Sequence, residues 1–286
     1  MAPPHTINTK SPEAVATAAK DAFVVMGATQ SGPLLDKVFA GTSRMFAGEY
    51  PGLLPIDMFY HNHEHTLQAT LCAVHMLIGR NRTNAEPGLS IRDCELTVMA
   101  ALLHDTGFLK RLDDRSGTGA KYTFVHEKRS AELARQFLPS VGAKPSEVED
   151  IATAIGCTGP ANRISAATFS RPEAKVIACI LVTADYLSQM SAPDYVAKLP
   201  ILYREFVEAY NFEELPEEKR MFHSLRELME RSPAFWEKFV RPMLDSEMAG
   251  MYRFLENTGQ TNPYLQAVED NVTEIRRLVQ NGLVNV

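Results

Sequence analysis

Apolar residues recur three and four positions apart along most of this chain, a spacing that predicts amphipathic helices. No stretch alternates apolar and polar residues for long enough to predict a strand. The apolar run 176–182 has the composition of a buried strand, but its continuation to Gln189 favours a helix. The sequence therefore predicts an all-α protein. The predicted helices span residues 12–28, 34–47, 57–79, 90–104, 126–137, 146–155, 172–189, 194–210, 217–230, 233–257 and 264–281.

Several of these helices carry start signals. Ser90 has the character of an N-cap, with Asp93 in the first helical turn. Proline fits the first turn of a helix because the N–H that it lacks would have no helical partner there. Three further helix starts are predicted at Arg171-Pro172, Ser232-Pro233 and Asn262-Pro263.

Composition and charge are those of a soluble globular protein, since 45% of the 286 residues are hydrophobic and 22% are charged. The formal net charge of -6 disfavours binding to duplex nucleic acid but allows a local basic pocket for a small phosphate ligand. No apolar run reaches the length of about 20 residues that crosses a membrane. The N-terminus lacks the pattern of a signal peptide, so a cytoplasmic location is expected.

His104 and Asp105 stand side by side at the end of the apolar run 98–103. Burying an unpaired imidazole and carboxylate there would cost several kcal/mol. A divalent cation removes this cost, because neutral imidazole nitrogen and carboxylate oxygen are both good metal ligands. A His-Asp pair is common in proteins, so the hypothesis of a metal site depends on further ligands elsewhere in the chain.

Two other stretches supply such ligands. His61 and His65 are four residues apart on the helix predicted at 57–79, which would place them on one face about 6 Å apart. Asp185 follows nine mostly apolar residues of another predicted helix, where a carboxylate needs an N–H partner, a cation or a metal. The alternatives are an exposed or core-satisfied histidine pair, and an aspartate that bonds to backbone or to a neighbouring tyrosine.

The order of these residues resembles the signature of a known family. Tyr60-His61-Asn62-x-x-His65, then His104-Asp105, then Asp185 is similar to the H…HD…D signature of the HD-domain metal-dependent phosphohydrolases. The Tyr-His-Asn-x-x-His form is similar to that of cyclic nucleotide phosphodiesterases, whereas His-Asp-Thr-Gly looks like generic bacterial members. The match covers residues 57–190 and implies an HD-domain helical bundle with helical additions at both ends.

The resemblance implies a role for each matching residue. His65, His104, Asp105 and Asp185 would bind a first metal, and Asp105 would also bridge to a second metal if two are bound. His61 matches the phosphodiesterase histidine that acts as general acid, which suits an imidazole with a pKa of about 6.5. The divalent metal would be Mn, Mg, Fe or Zn, because imidazole and carboxylate ligands do not distinguish these ions. It would activate water and neutralise the phosphoryl oxygens.

Residues beside the motif carry weaker signals. His126 is a candidate for a second metal or a phosphate contact, with Glu127 as its supporting partner, and a solvent-facing pair at a helix start is the alternative. The aromatic residues of the C-terminal third, among them Phe235 and Phe239, are interpreted as helix-packing residues. The substrate-binding candidates are Asn62, Lys110, Arg111, Lys128 and Arg129.

The chain also departs from its apparent relatives. The resemblance implies further histidines where a second metal is bound entirely by protein, but Ile155-Gly156-Cys157-Thr158 contains none. Phe108 and Leu109 stand where cyclic nucleotide phosphodiesterases carry another histidine. These departures argue against a di-iron oxygenase and against the purine-selecting pocket of those phosphodiesterases.

The predicted function is hydrolysis of a small nucleotide-like phosphoester, monoester or diester, by metal-activated water. The alternatives are a catalytically silent, metal-containing regulatory module and an iron-dependent oxygenase on the same scaffold. The expected partner is a small phosphorylated substrate, a nucleotide above all, with neither a nucleic acid duplex nor a membrane, and a homodimer is an open alternative. The predicted organisation is a flexible tail at 1–11, a helical extension at 12–55, an HD-type core at 56–195 and a C-terminal helical extension at 196–286.

Overall fold

The structure is a computed structural model that describes residues 6–29, 32–159, 161–256 and 261–283. Within these ranges the chain folds into helices without a β-sheet, and the one isolated strand-like bridge joins Leu53 to Arg111. The all-α prediction is confirmed. The helices are α1 (Pro12–Val25), α2 (Pro33–Phe46), α3 (His63–Arg82), α4 (Ile91–Leu103), α5 (His126–Val141), α6 (Pro145–Gly156), α7 (Pro172–Met190), α8 (Tyr195–Phe212), α9 (Leu225–Phe235), α10 (Arg241–Asp245) and α11 (Pro263–Gln280).

Helices α3, α4 and α7 form the centre of the molecule, where they pack against one another. Nearly every residue of α4 is buried, and so is most of α7, which explains why both sequences are apolar on more than one face. The pair α5 and α6 packs beside them, α1 and α2 cover α3 and α4, and α11 joins α7 to α9. In the described ranges no single helix is long and apolar enough to cross a membrane.

The helix starts at Ser90, Pro172 and Asn262 are confirmed. The Ser90 hydroxyl accepts the Asp93 N–H, and the Asp93 carboxylate accepts the Ser90 N–H at 3.0 Å. Pro172 lies in the first turn of α7, and the Asn262 side chain caps α11. These signals predict correctly because each is made within one helical turn of sequence.

The first part of the helix predicted at 57–79 is not helical. The helix α3 begins only at His63, because the side chain of Asn62 accepts the His65 N–H at 3.1 Å and acts as the N-cap. The Tyr60 N–H donates to the Glu205 carboxylate at 2.9 Å instead of to a helical carbonyl. The prediction that His61 and His65 lie on one helix face is therefore wrong, and His61 belongs to the segment before the helix.

The helix start predicted at Ser232-Pro233 is also wrong, because this pair lies inside α9. The N-cap of α9 is Ser224, whose hydroxyl accepts the Glu227 N–H at 3.1 Å. The Ser232 hydroxyl instead donates to the Leu228 carbonyl one turn earlier, at 2.7 Å.

The single helix predicted for residues 233–257 is interrupted. The chain passes from α9 through a π-helical segment, Trp236–Val240, into the short helix α10. After α10 the chain turns. Gly250 adopts a left-handed conformation with a φ of 70°, and a 3-10 turn, Met251–Leu255, follows it.

The N-terminal tail predicted at 1–11 is described only in part, since residues 1–5 lie outside the described residues. Ile7 packs partly buried against the core, and the Ser11 side chain caps α1 by accepting the Ala14 N–H. The described end of this segment is thus attached to the helical body.

Candidate metal centre

Local chain geometry positions four polar side chains between the central helices. His65 lies in the first turn of α3, next to its N-cap. His104 is the C-cap of α4, and Asp105 is the N-cap of the 3-10 turn Thr106–Phe108 that follows. Asp185 lies inside α7. Because α3, α4 and α7 pack together, side chains from distant parts of the sequence converge.

The four side chains meet tip to tip. His65 Nε2 lies 3.3 Å from Asp105 Oδ2 and 3.2 Å from Asp185 Oδ1. His104 Nε2 lies 3.4 Å and 3.6 Å from the same two oxygens. The His104 side chain is fully buried, and the most exposed of the four, Asp185, is only 14% exposed. The ligand atoms of His65, His104 and Asp185 all lie within 4.8 Å of one another, and Asp105 Oδ2 lies beside the two imidazoles.

Three atoms of this cluster are buried without a hydrogen-bond partner, namely His65 Nε2, His104 Nε2 and Asp105 Oδ2. Buried polar atoms are normally paired, so three orphaned atoms at one point indicate a shared ligand. Two ligand atoms at right angles, each about 2.1 Å from a divalent ion, lie about 3 Å apart. The observed distances fit this spacing, and the group of His65, His104 and Asp185 could hold a metal ion.

The charges of the cluster favour binding of a cation. Burial acting alone would raise the pKa of Asp105 and Asp185, but the neighbouring imidazoles lower the pKa of both carboxyl groups below their ordinary value. Burial alone would lower the pKa of His104, and the two carboxylates raise it to about 9. The cluster therefore attracts positive charge, which either protons or a divalent ion can supply.

Contacts behind the cluster orient its members. The Ala101 carbonyl accepts a hydrogen bond from His104 Nδ1 at 2.7 Å, which turns Nε2 towards the two aspartates. The Gly107 N–H donates to the Ser130 hydroxyl at 2.8 Å. A Cβ atom on Gly107 would lie 2.0 Å from the His126 carbonyl oxygen. The glycine after His-Asp-Thr is thus what lets α5 approach this turn.

His61 lies beside the cluster and is held by a carboxylate from α8. Its Nδ1 lies 2.7 Å from Glu205 Oε2, and its ring centroid is 5.8 Å from that of His65. Burial acting alone would lower the pKa of His61, but the hydrogen bond to Glu205 and the nearby aspartates raise it above its ordinary value. His61 is therefore favoured as a protonated imidazole with Nε2 away from Glu205.

Sequence reasoning missed two residues of this site. Glu205 clamps the segment before α3, since it also accepts the Tyr60 N–H, and it is only 7% exposed. Gln189 donates to Asp185 Oδ1 at 3.4 Å and accepts a hydrogen bond from the Tyr60 hydroxyl at 3.0 Å. The sequence signal available for Glu205 was its spacing, since it lies four positions before Ala209 and therefore on the same, buried face of α8.

His126 reaches the opposite oxygen of Asp105. Its Nε2 lies 3.8 Å from Asp105 Oδ1, and its Nδ1 is 2.8 Å from the Thr123 carbonyl. The Phe108 ring stacks with both neighbouring imidazoles, at centroid distances of 4.3 Å for His126 and 4.8 Å for His61. Glu127 Oε2 lies 3.6 Å from His126 Nδ1. The structure thus brings His126 and Glu127 to the edge of the cluster.

Most of the predicted substrate-binding residues either bond to other parts of the protein or are exposed. Lys110 is buried, with its ammonium 2.7 Å from the Asp57 carboxylate. The Arg129 guanidinium donates to the Gly107 and Leu109 carbonyls at 2.7 Å and 2.9 Å. The Asn62 side chain caps α3, as described above. Arg111 and Lys128 are exposed. The first three are occupied in holding the loop and helices around the site.

Three aromatic rings pack together around the residue that follows Asp185, which agrees with the interpretation of Phe235 and Phe239 as helix-packing residues. Tyr186 contacts the rings of both, at centroid distances of 6.2 Å and 6.5 Å, and these two rings stack on each other at 5.2 Å. Phe235 is 40% exposed. The Arg163 guanidinium lies 5.7 Å from the Phe239 ring and makes no ion pair with a described residue. We call Tyr186, Phe235, Phe239 and Arg163 the aromatic shelf.

Comparison with known proteins identifies no family for this chain, so a function must be inferred from the geometry of the site. No protein-family profile matches this chain, and no curated protein sequence matches it. The buried His/Asp cluster is thus a candidate divalent-metal centre on an all-α scaffold.

Proposed function

We propose that this chain is a metal-dependent phosphohydrolase of the HD-domain type that acts on a small nucleotide-like phosphoester. The observation that carries the proposal is the convergence of three orphaned buried atoms, from His65, His104 and Asp105, with the Asp185 carboxylate. Such a set of neutral imidazoles and carboxylates is the donor set of a divalent ion in a hydrolytic site.

His65, His104, Asp105 and Asp185 would hold the ion. When bound, a divalent ion lowers the pKa of water and neutralises the charge that develops on phosphoryl oxygens. The chain supplies the rest of the polar environment. Burial of the four side chains excludes bulk water from the ligand cluster, which strengthens every electrostatic interaction within it.

His61 is the proposed general acid. Its Nδ1 donates to Glu205 Oε2, so a proton on Nε2 can be passed to the oxygen of the leaving group. The Glu205 carboxylate stabilises the doubly protonated imidazole and fixes its orientation. Phe108 stacks on the ring of His61 and restricts its rotation. The acid is therefore charged and oriented before substrate arrives.

The aromatic shelf supports a substrate that carries a flat ring. Tyr186 is the residue after Asp185 in α7, and its ring contacts those of Phe235 and Phe239. The exposed Phe235 ring can stack on a planar group, and the Arg163 guanidinium can pair with a phosphate or stack on a base. This combination favours a nucleotide over a simple alkyl phosphoester.

Metal analysis followed by an activity screen tests the proposal. The purified protein should contain a divalent metal, and after chelation one of Mn²⁺, Mg²⁺, Fe²⁺ or Zn²⁺ should restore hydrolysis of a nucleotide phosphomonoester or phosphodiester. Asp105→Asn removes a ligand charge at constant size and should abolish both metal retention and activity. The matched control is Asp113→Asn, an exposed aspartate eight positions later, which should leave both unchanged.

Two outcomes would contradict the proposed enzymatic function. A metal-loaded protein that hydrolyses no phosphoester in the screen would favour the catalytically silent regulatory module. Asp105→Asn protein with full activity would show that hydrolysis does not depend on this cluster.

A further inference from the structure

A cavity of about 260 Å³ lies at the other end of α3 from the metal centre. Its apolar lining includes Leu77, Leu89 and Cys94. Its polar lining includes Arg80, Asn81 and Asn84. Residues 65 and 80 lie on one continuous helix, which separates them by about 22 Å along its axis. The cavity is therefore distinct from the His/Asp cluster.

Arg80 is the buried charge of this cavity. The residue is only 4% exposed, and its guanidinium donates one hydrogen bond, from Nη2 to the Pro87 carbonyl, at 2.5 Å. Its Nε is buried without a partner. No carboxylate of the described residues lies within ion-pair distance of it. A buried guanidinium that lacks an ion pair at contact distance is stabilised by a ligand that supplies one.

The other described residues that line the cavity form no ion pair with Arg80. Burial raises the pKa of the Cys94 thiol to about 12, so this group is neutral. Glu86 lies at the exposed rim of the cavity, where its carboxylate attracts the Arg80 guanidinium without forming an ion pair and its Oε2 accepts the Gly88 N–H at 3.0 Å. Asn81 and Asn84 offer exposed amide groups that can donate to a ligand.

We propose that this cavity binds a small molecule through an oxyanion, a carboxylate or a phosphate, that accepts hydrogen bonds from Arg80. A guanidinium matches the oxygens of either group with parallel N–H donors. Leu77 and Leu89 accommodate a short apolar part of the ligand, and the asparagine amides contact its polar edge. The site is independent of the proposed hydrolytic function.

Calorimetric titration of the full chain tests the site, with inorganic phosphate in one arm and butyrate in the other. The protein is first stripped of metal, so that neither probe binds to an ion. At least one probe should bind, and the arm that binds identifies the oxyanion. Arg80→Gln and Asn81→Asp should each weaken this binding by about tenfold or more. The control is Arg82→Gln, which changes the charge equally at an exposed position two residues away.

A second readout uses the unmodified protein, in case Arg80→Gln does not fold. The bound probe should slow labelling of Cys94 by a thiol reagent while labelling of Cys179, which is buried elsewhere in α7, stays unchanged. Absence of binding by either probe at millimolar concentration would overturn the proposal. Binding that is undiminished by Asn81→Asp and that leaves Cys94 labelling unchanged would overturn it too.

Discussion

Two histidines of the candidate site differ in the group that lies behind Nδ1. For His104 the partner is a backbone carbonyl, which can only accept, so Nδ1 carries hydrogen and Nε2 faces the two aspartates. For His61 the partner is the Glu205 carboxylate, which raises the pKa of the ring and favours hydrogen on both nitrogens. These contacts suit the proposed roles of a metal ligand and of an acid.

We predict that Glu205→Gln lowers kcat and moves its alkaline limb to lower pH. A general acid must be protonated, so activity falls as pH rises through the pKa of His61. The glutamate carboxylate raises that pKa, and its neutral amide replacement lowers it again. The measurement is the pH profile of kcat at saturating metal.

His61→Gln provides the comparison for Glu205→Gln. It should lower kcat by about a hundredfold or more at every pH, with metal content unchanged. His223→Gln, at an exposed histidine, should behave as the wild type. An unshifted profile for Glu205→Gln would show that the carboxylate does not act through His61.

At the scale of elements, the start of α3 connects helix capping to the metal site. The Asn62 side chain caps the helix by accepting the His65 N–H. The imidazole of the same His65 is a proposed metal ligand. The cap therefore fixes the turn from which the imidazole projects, as well as stabilising the helix.

Asn62→Ala should lower the free energy of unfolding by about 1 kcal/mol and also weaken metal binding. Ser224→Ala is the matched control, because Ser224 caps α9 by the same kind of bond, to the Glu227 N–H. It should cost similar stability without changing metal affinity. Chemical denaturation and metal titration of both variants provide the measurement, and equal metal affinities would contradict the idea.

The pairing of α3 with α11 predicts a pH dependence of stability. His75 is buried on α3, with Nδ1 2.9 Å from the Tyr264 hydroxyl of α11. Burial lowers its pKa to about 4, whereas the unfolded chain takes up a proton near its ordinary pKa. The unfolded state is therefore favoured as pH falls from about 6.5 towards 4, and the contribution of His75 is fully present only above that window.

His75→Leu should reduce the loss of stability over this pH range, because it removes the group that titrates only in the unfolded chain. Denaturant unfolding of the wild type and the variant at several pH values measures the two slopes. A slope that the substitution leaves unchanged would show that His75 titrates alike in both states.

At the scale of the whole molecule, a metal ion bound at the candidate site would link the packing of three helices. α3, α4 and α7 each bring at least one polar side chain into the same buried space. Without a metal ion, the negative charge of the two carboxylates is balanced by protons on the neighbouring imidazoles. A bound ion should therefore stabilise the assembled core as well as complete the site.

Removal of metal should lower the melting temperature of the wild type. At a free-metal concentration of about 100 times Kd the ion contributes about 2.7 kcal/mol, or a shift of about 5 °C for a chain of this size. Asp105→Asn protein should melt at the same temperature with and without metal. Scanning calorimetry after chelation and after metal replacement measures both, and identical melting of loaded and stripped wild type would contradict the coupling.

The sequence by itself determined the helical class and several helix starts, because these depend on apolar spacing and on bonds within one turn. It also indicated the buried side chains of the candidate site, since a His-Asp pair or an aspartate in an apolar run is conspicuous without knowledge of the fold. Only the tertiary structure decided that Glu205 holds His61 and accepts the Tyr60 N–H. It also decided that Lys110 pairs with Asp57 and that Arg129 bonds to the Gly107 and Leu109 carbonyls. Those outcomes depend on contacts between residues far apart in the chain, and local pattern carries no information about which distant partner a polar side chain will meet.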